Sequence, residues 1–211
     1  MMLEECGLPY RLQMVDIFKG EQFEEDFLKI SPNNKIPALL DNSPDPGNEP
    51  IAVFESGAIL LYLAEKTGKF LPAEAQQKKS VLEWLFWQVS ALGPMMGQYG
   101  HFKLYAPQPI EYAINRYRRE VLRLFDILDK RLHGAEYVAG NLYSIADIAI
   151  FPWVQTYKAQ GIELVEFESL KGWYDQLKKR PALRRGMAVG RDLIVRKPQQ
   201  DPDANKFLFG N

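Results

Sequence analysis

The fold of this chain is decided around Ser31-Pro32-Asn33-Asn34-Lys35-Ile36-Pro37-Ala38-Leu39-Leu40 and, after a turn-rich gap, Ile51-Ala52-Val53-Phe54-Glu55-Ser56-Gly57-Ala58-Ile59. The pattern predicts a short strand opened by a proline, a second strand, and a helix that starts directly after it. Exposed backbone at Ile36 suits strand-like pairing, while the free N–H groups of a helix start and a capping hydroxyl at Ser56 suit a carboxylate. The two stretches therefore predict a pocket for a small peptide-like anion.

Composition excludes several classes of partner and site. The 211 residues carry a net charge of −1 with both signs interspersed, so nothing favours nucleic acid or an anionic membrane. Cys6 is the only cysteine, and His101 and His133 lie far apart, so we predict no disulfide and no metal site. No apolar run approaches the roughly 20 residues of a membrane helix, and the polar N-terminus does not resemble a signal peptide. We expect a soluble, cytoplasmic protein in a reducing compartment.

The chain changes character near Gly68–Pro72. Before this point the sequence predicts an α+β domain with a strand over Tyr10–Ile17, a helix over Phe23–Leu28, two strands, and a helix over Ser56–Lys66. After it the pattern is helical almost throughout, most clearly over Glu111–Leu132, which predicts an all-α domain.

These patterns set the predicted domain boundaries. We expect an N-terminal domain over residues 1–67, a linker over 68–75, the all-α domain over 76–196 and a tail over 197–211. The apolar residues Phe207-Leu208-Phe209 of the tail could dock on the body or on a partner chain.

A capping pattern stands at Ser144-Ile145-Ala146-Asp147. The Ser144 side chain can cap a helix, and Asp147 three residues later can bond back to the N–H of the cap. The pattern predicts a structural role, in which substitution harms folding before it harms ligand binding.

Taken together, Asn33–Pro37, Phe54–Leu63 and the Ser144–Asp147 capping pattern resemble the cytosolic glutathione transferases. Four further segments are similar to the bacterial nu class, the YfcG-like disulfide-bond oxidoreductases: Trp84–Gln88, Gly93–Gln98, His101–Phe102 and Ala113–Tyr117. The resemblance implies a thioredoxin-like N-terminal domain, an α-helical C-terminal domain and a homodimer.

The resemblance also implies which residues hold glutathione. A cis Ile36–Pro37 bond would turn the backbone of Ile36 toward the cysteinyl unit, although Pro37 alone suggests only the start of a strand. Glu55 would meet the ligand ammonium and Ser56 the γ-glutamyl carboxylate, whereas taken singly they are a strand-end acid and a helix cap.

Three more residues complete the implied glutathione site. Gln22 matches a glutathione-contacting glutamine, but a glutamine beside a turn is normally solvated. Lys35 would neutralise the glycyl carboxylate or be an ordinary loop lysine. Arg116 matches an arginine that reaches the glutathione of the other subunit, although arginines on such a helix usually form a solvated face.

A second-substrate pocket is a further expectation. Met95, Met96, Tyr99 and Phe102 follow a Gly-Pro break, and methionine-lined surfaces suit varied substrates. At this spacing the same residues also suit a hydrophobic core.

The implied activity is reduction of disulfides or organic hydroperoxides by the thiolate of bound glutathione, used as cosubstrate without a metal. The family carries its thiol-activating loop ahead of the first helix, and we expect the native chain to begin upstream of Met1. No residue of this sequence is assigned a catalytic role, and Cys6 is expected to be a small core residue. The alternatives are a non-catalytic glutathione-binding or regulatory protein of this fold, and conjugation of glutathione to electrophiles.

Overall fold

The N-terminal domain is built from short elements around two strands. A computed structural model describes residues 1–44, 47–191 and 204–209. Helix α1 spans Met2–Cys6, a 3₁₀ turn Glu21–Phe23, α2 Glu25–Ile30, β1 Ala38–Asp41, β2 Ile51–Phe54 and α3 Ser56–Thr67. The strands pair antiparallel, from Ala38 opposite Phe54 to Asp41 opposite Ile51. The two strands and the helix after them lie where the sequence predicts them.

The prediction of a strand over Tyr10–Ile17 is wrong for this structure. These residues have no regular secondary structure, and Tyr10, Leu12 and Met14 are exposed. A strand forms only when a neighbour accepts and donates its backbone hydrogen bonds, and in the described ranges β1 pairs with β2 alone. The segment therefore carries strand-forming residues without a pairing partner.

Helix α3 joins the small sheet to the rest of the molecule. Its Leu60, Leu63 and Ala64 are buried in the core. At its start, a Cβ placed on Gly57 would lie 3.1 Å from a methyl of Val89, so the helix approaches the C-terminal domain closely. On the other side Asp41 accepts hydrogen bonds from Tyr62 at 2.8 Å and from Lys66. Helix α3 thus contacts the C-terminal domain at its start and the small sheet along its second half.

Helices make up the C-terminal domain. The predicted helix over Glu111–Leu132 has these bounds in the structure, and it buries Val121, Leu124, Phe125, Leu128 and Leu132 on one face. None of the helices in the described ranges is long and apolar enough to cross a membrane. The elements in chain order are α4 Ala75–Trp87, a π-helical turn Gln88–Leu92, α5 Gly93–Gly100, a π-helical turn His101–Tyr105, α6 Glu111–Leu132, α7 Ile145–Val154, α8 Glu168–Leu177 and α9 Pro181–Ala188.

The predicted capping box of α7 is present and fully buried. One Asp147 oxygen accepts the Ser144 N–H at 3.1 Å and the Ser144 hydroxyl at 3.0 Å. The other accepts the Val138 N–H at 3.0 Å and the indole N–H of Trp173 at 2.9 Å. Burial raises the pKa of Asp147, while these four donors act in the opposite direction. Asp147 therefore ties the start of α7 to a loop and to α8.

A partly buried ion pair joins the two domains. Arg180, just before α9, donates two hydrogen bonds to Glu5 of α1, at 2.8 and 2.9 Å. The guanidinium also lies 3.9 Å from the centre of the Tyr143 ring, and burial raises the pKa of that phenol. An α+β N-terminal domain thus packs on an all-α domain, as the sequence predicts.

Candidate functional site

A cleft lies where the loop before β1 meets the end of β2 and the start of α3. Its volume is about 70 Å³. Five predicted site residues, Lys35, Ile36, Pro37, Glu55 and Ser56, line this one cleft. The full lining is Ser31, Asn33, Lys35, Ile36, Pro37, Phe54, Glu55 and Ser56.

Ile36 presents its backbone to the cleft. The Ile36–Pro37 peptide bond is cis, as the resemblance implies, and Ile36 is 50% exposed. Ladder pairing begins only at Ala38, and within the described chain the N–H and C=O of Ile36 make no hydrogen bond. These two groups are available to pair with an extended peptide.

The start of α3 provides the opposite wall. The helix begins at Ser56, and the residue in the cap position is Glu55, not Ser56 as predicted. The first intrahelical bond runs from the Ile59 N–H to the Glu55 carbonyl at 2.9 Å. In the described structure the N–H groups of Ser56, Gly57 and Ala58 therefore have no helical acceptor, and they face the end where helix dipoles attract anions.

Glu55 has an uncommon backbone conformation, with φ 67° and ψ 120°. A non-glycine residue in such a region costs on the order of 1–3 kcal/mol, which surrounding contacts must offset. Across the cleft, the side-chain amide of Asn33 donates to a Glu55 carboxylate oxygen at 3.4 Å. The carboxylate remains exposed, so it can accept a cation at the rim.

The loop before Ile36 is held by its own hydrogen bonds. The hydroxyl of buried Ser31 donates to the Lys35 carbonyl at 2.7 Å, and the Asn34 N–H donates to the Ser31 carbonyl at 2.9 Å. The site predicted from the sequence includes neither Ser31 nor Asn33. The only available signal was their position within five residues of Ile36.

Gln22 and Arg116 do not line this cleft. Gln22 is buried, and its side-chain amide donates to backbone carbonyls of Ile17 and Phe207, each at 3.4 Å. Arg116 is exposed on α6. Their predicted contacts with glutathione remain predictions.

Two of the four residues predicted for a second-substrate pocket are core residues, and for Met95 and Phe102 the pocket stays a prediction. Met96 and Tyr99 are completely buried in the helical core, so they cannot line an open cleft, and the core alternative holds for both. Tyr99 donates its phenol proton to the Gln160 carbonyl at 3.1 Å. Met95 is half-buried, and half-buried Phe102 stacks on Tyr117 with ring centres 5.6 Å apart.

A larger groove of about 570 Å³ lies between α7, α8 and α9, and none of the predicted site residues lines it. In the part of the chain that the structure describes, no group of three or more His, Cys, Asp or Glu side chains could hold a metal ion. Four of the six predicted glutathione-binding residues, Lys35, Ile36, Glu55 and Ser56, thus meet in the cleft at Ile36.

Comparison with known proteins shows the family of the chain. Residues 1–66 match the family described as the glutathione S-transferase N-terminal domain, and residues 92–181 match the corresponding C-terminal domain. The disulfide-bond oxidoreductase YfcG of Escherichia coli K12 is 54% identical over 182 residues, covering 86% of this chain and 85% of that protein.

Two solved structures carry the same fold and contain the tripeptide. A glutathione transferase from Burkholderia graminis, with two glutathione molecules bound per subunit, has a TM-score of 0.85 at 38% identity, over 90% of this chain and 82% of that one. One from Pseudomonas putida, with one glutathione disulfide bound per subunit, has a TM-score of 0.82 at 39% identity, over 89% and 84% of the two chains.

Proposed function

This chain belongs to the glutathione S-transferase family, and from that premise we propose that it is a glutathione-dependent disulfide-bond oxidoreductase. The observation that carries the proposal is the meeting of Ile36, Glu55 and Ser56 in one cleft. Ile36 offers a free backbone edge that can pair with an extended peptide. Glu55 offers a negative charge for an ammonium, and the helix start at Ser56 offers N–H groups for a carboxylate.

The ligand is placed by matching charges and hydrogen bonds. The γ-glutamyl carboxylate lies against the N–H groups and hydroxyl at Ser56, and the neighbouring ammonium meets the Glu55 carboxylate. The backbone of Ile36 pairs with the cysteinyl unit, and Lys35 lies on the side of the glycyl carboxylate. The thiol is then left at the open side of the cleft, where a second substrate can approach.

The reaction consumes two molecules of glutathione for each disulfide. The bound thiolate attacks one sulfur of the substrate, forming a mixed disulfide while the other sulfur leaves as a thiolate and takes a proton. A second glutathione attacks the mixed disulfide, giving glutathione disulfide and the second thiol of the substrate. With an organic hydroperoxide, the thiolate attacks the terminal oxygen, the O–O bond breaks, and the products are the sulfenic acid of glutathione and an alkoxide that takes a proton to become an alcohol. The thiol of a second glutathione then displaces the sulfenic oxygen as water and gives glutathione disulfide.

A coupled assay tests the proposed activity. Glutathione and hydroxyethyl disulfide are incubated with the protein, and glutathione reductase reports the glutathione disulfide formed. We expect turnover that saturates with glutathione. Binding of glutathione without turnover would favour the non-catalytic alternative, and turnover confined to chlorodinitrobenzene would favour conjugation.

Replacement of Cys6 by Ser is expected to leave the disulfide reductase activity within about twofold of wild type, because the nucleophile is the ligand's own sulfur. Cys6 is buried, and its sulfur lies 3.5 Å from the Thr67 hydroxyl, so no substrate reaches it. The coupled assay, run at equal concentrations of folded protein, checks this outcome. Loss of turnover in Cys6→Ser with an unchanged melting temperature would contradict the mechanism.

We also propose a homodimer in which Arg116 of one subunit reaches the glutathione of the other. Arg116 is exposed on α6 and does not line the cleft of its own chain, which leaves its guanidinium available to a partner. A planar guanidinium can hold a carboxylate through two parallel hydrogen bonds.

Substitution of Arg116 by Ala is expected to raise the Kd for glutathione about tenfold without lowering the melting temperature, since one charge-assisted contact is lost from an exposed side chain. Calorimetric titration measures the Kd, and light scattering measures the subunit number. Arg119→Ala, one turn away and also exposed, is the matched control and should bind as wild type. Equal affinities of both variants, or a monomer that binds normally, would contradict the role.

We also propose that the protein is located in the cytoplasm. The lone cysteine fits a reducing compartment, and glutathione is abundant in such compartments. Secretion of the native protein into an oxidising compartment would contradict it.

A further inference from the structure

The end of the chain packs against the glutathione-binding domain. Helix α10 spans Ala204–Phe209, and the Phe207 ring lies directly over Gly20. A Cβ placed on Gly20 would lie only 2.7 Å from one ring carbon and 2.8 Å from the next. Gly20 also has φ 83°, a conformation that other residues rarely adopt. Both the space and the backbone therefore require glycine under this ring.

A buried side chain connects the same two regions. Gln22 is 5% exposed, and its side-chain amide donates to the Phe207 carbonyl of α10 and to the Ile17 carbonyl of the N-terminal domain, each at 3.4 Å. Its side-chain oxygen is buried and has no hydrogen-bond partner among the described residues. The position of the Gln22 amide thus depends on the tail as well as on the domain.

A series of packed elements connects the turn under Phe207 to the cleft. The 3₁₀ turn that contains Gln22 packs on α2, and α2 packs on β1 and β2. Helix α2 ends at Ile30, and the next residue is Ser31. The Ser31 hydroxyl donates a hydrogen bond to the Lys35 carbonyl, which fixes the loop that lines the cleft. A shift of the turn would therefore be passed through a short packed helix to the wall beside Ile36.

We propose that Phe207 is a positioning residue for glutathione binding, which acts by holding the Gly20–Phe23 turn and the amide of Gln22 in place. The role rests on the glutathione binding proposed above. It makes helix α10 contribute to a site in the N-terminal domain, although 185 positions separate Gln22 from Phe207 in sequence.

Replacement of Phe207 by Ala tests the role. We expect about a tenfold rise in the KM for glutathione with kcat unchanged at saturation, because the substitution loosens binding without touching the reacting atoms. Amide hydrogen exchange should become faster in residues 17–23, while the melting temperature stays within about 2 °C of wild type. Lys206→Ala, on the same helix with an exposed side chain, is the control and should change none of these values.

A double-mutant cycle tests the contact itself. Gly20→Ala should displace the ring and raise the KM, and Gly20→Ala combined with Phe207→Ala should raise it by less than the product of the two single effects. Effects that multiply fully, or a Phe207→Ala variant with the KM and exchange of wild type, would overturn the proposal. If the wild-type protein binds no glutathione, the proposed function fails, and hydrogen exchange in residues 17–23 still decides whether the tail holds the turn.

Discussion

Replacement of Glu55 by Gln is expected to weaken glutathione binding by about two- to thirtyfold, since a charge-assisted hydrogen bond of about 1.5–3 kcal/mol is reduced to a neutral one of about 1 kcal/mol. Glutamine keeps the shape of the side chain, and it can still accept the hydrogen bond that Asn33 donates. The loss of affinity therefore measures the contribution of the negative charge of Glu55, which faces the ligand ammonium. Calorimetric titration with reduced and oxidised glutathione measures it.

Two further variants show whether the loss belongs to the cleft. Glu65→Gln also neutralises an exposed glutamate of α3, but this residue lies far along the helix, and the variant should bind as wild type. Ser56→Ala removes the hydroxyl at the helix start and should weaken binding by about tenfold while the backbone N–H groups remain. An affinity that is unchanged in Glu55→Gln would remove Glu55 from the site.

Replacement of Asp147 by Ala is expected to prevent stable folding. The substitution leaves four buried donors without an acceptor, from the N–H and hydroxyl of Ser144, the N–H of Val138 and the indole of Trp173. At about 1–3 kcal/mol for each orphaned donor, the sum is comparable to the whole stability of an ordinary domain, about 5–15 kcal/mol. Thermal or urea unfolding followed by circular dichroism measures the effect.

The matched control is an aspartate on the surface of the same domain. Asp126 on α6 pairs with Lys130 at 2.6 Å, and such exposed pairs contribute about 0–1 kcal/mol. Asp126→Ala should therefore unfold close to wild type. An Asp147→Ala protein with the wild-type unfolding midpoint would show that the buried capping box does not stabilise the domain.

Local patterns in the sequence predict a large part of this fold. The helix over Glu111–Leu132 follows from the spacing of its apolar residues, and the capping box at Ser144 follows from two residues three positions apart. The approach of Ile36 to Glu55 is also predictable, because two short strands that pair antiparallel bring the start of the first beside the end of the second.

Features that depend on distant neighbours are not predictable in this way. The segment at Tyr10–Ile17 has the residues of a strand, but pairing decides whether a strand forms. Met96 and Tyr99 follow the same apolar spacing whether they face a core or a cleft, and only the packed helices show that they are core.

The partners of the C-terminal tail are also not predictable from local sequence, because they lie far away along the chain. The apolar residues Phe207-Leu208-Phe209 predict docking, but nothing near them in sequence indicates Gly20 or Gln22 as partners. The hydrogen bond between Asn33 and Glu55 is likewise a result of folding, since 22 positions separate the two residues.

Nuclear magnetic resonance on the ¹⁵N-labelled wild-type protein, titrated with reduced glutathione, tests directly whether Ile36, Glu55 and Ser56 bind one tripeptide. We predict that the amide signals of Ile36, Ser56 and Gly57 shift together along one saturation curve with a single Kd. Signals of these amides that stay fixed at saturating glutathione, or shifts confined to the groove between α7, α8 and α9, would contradict the site.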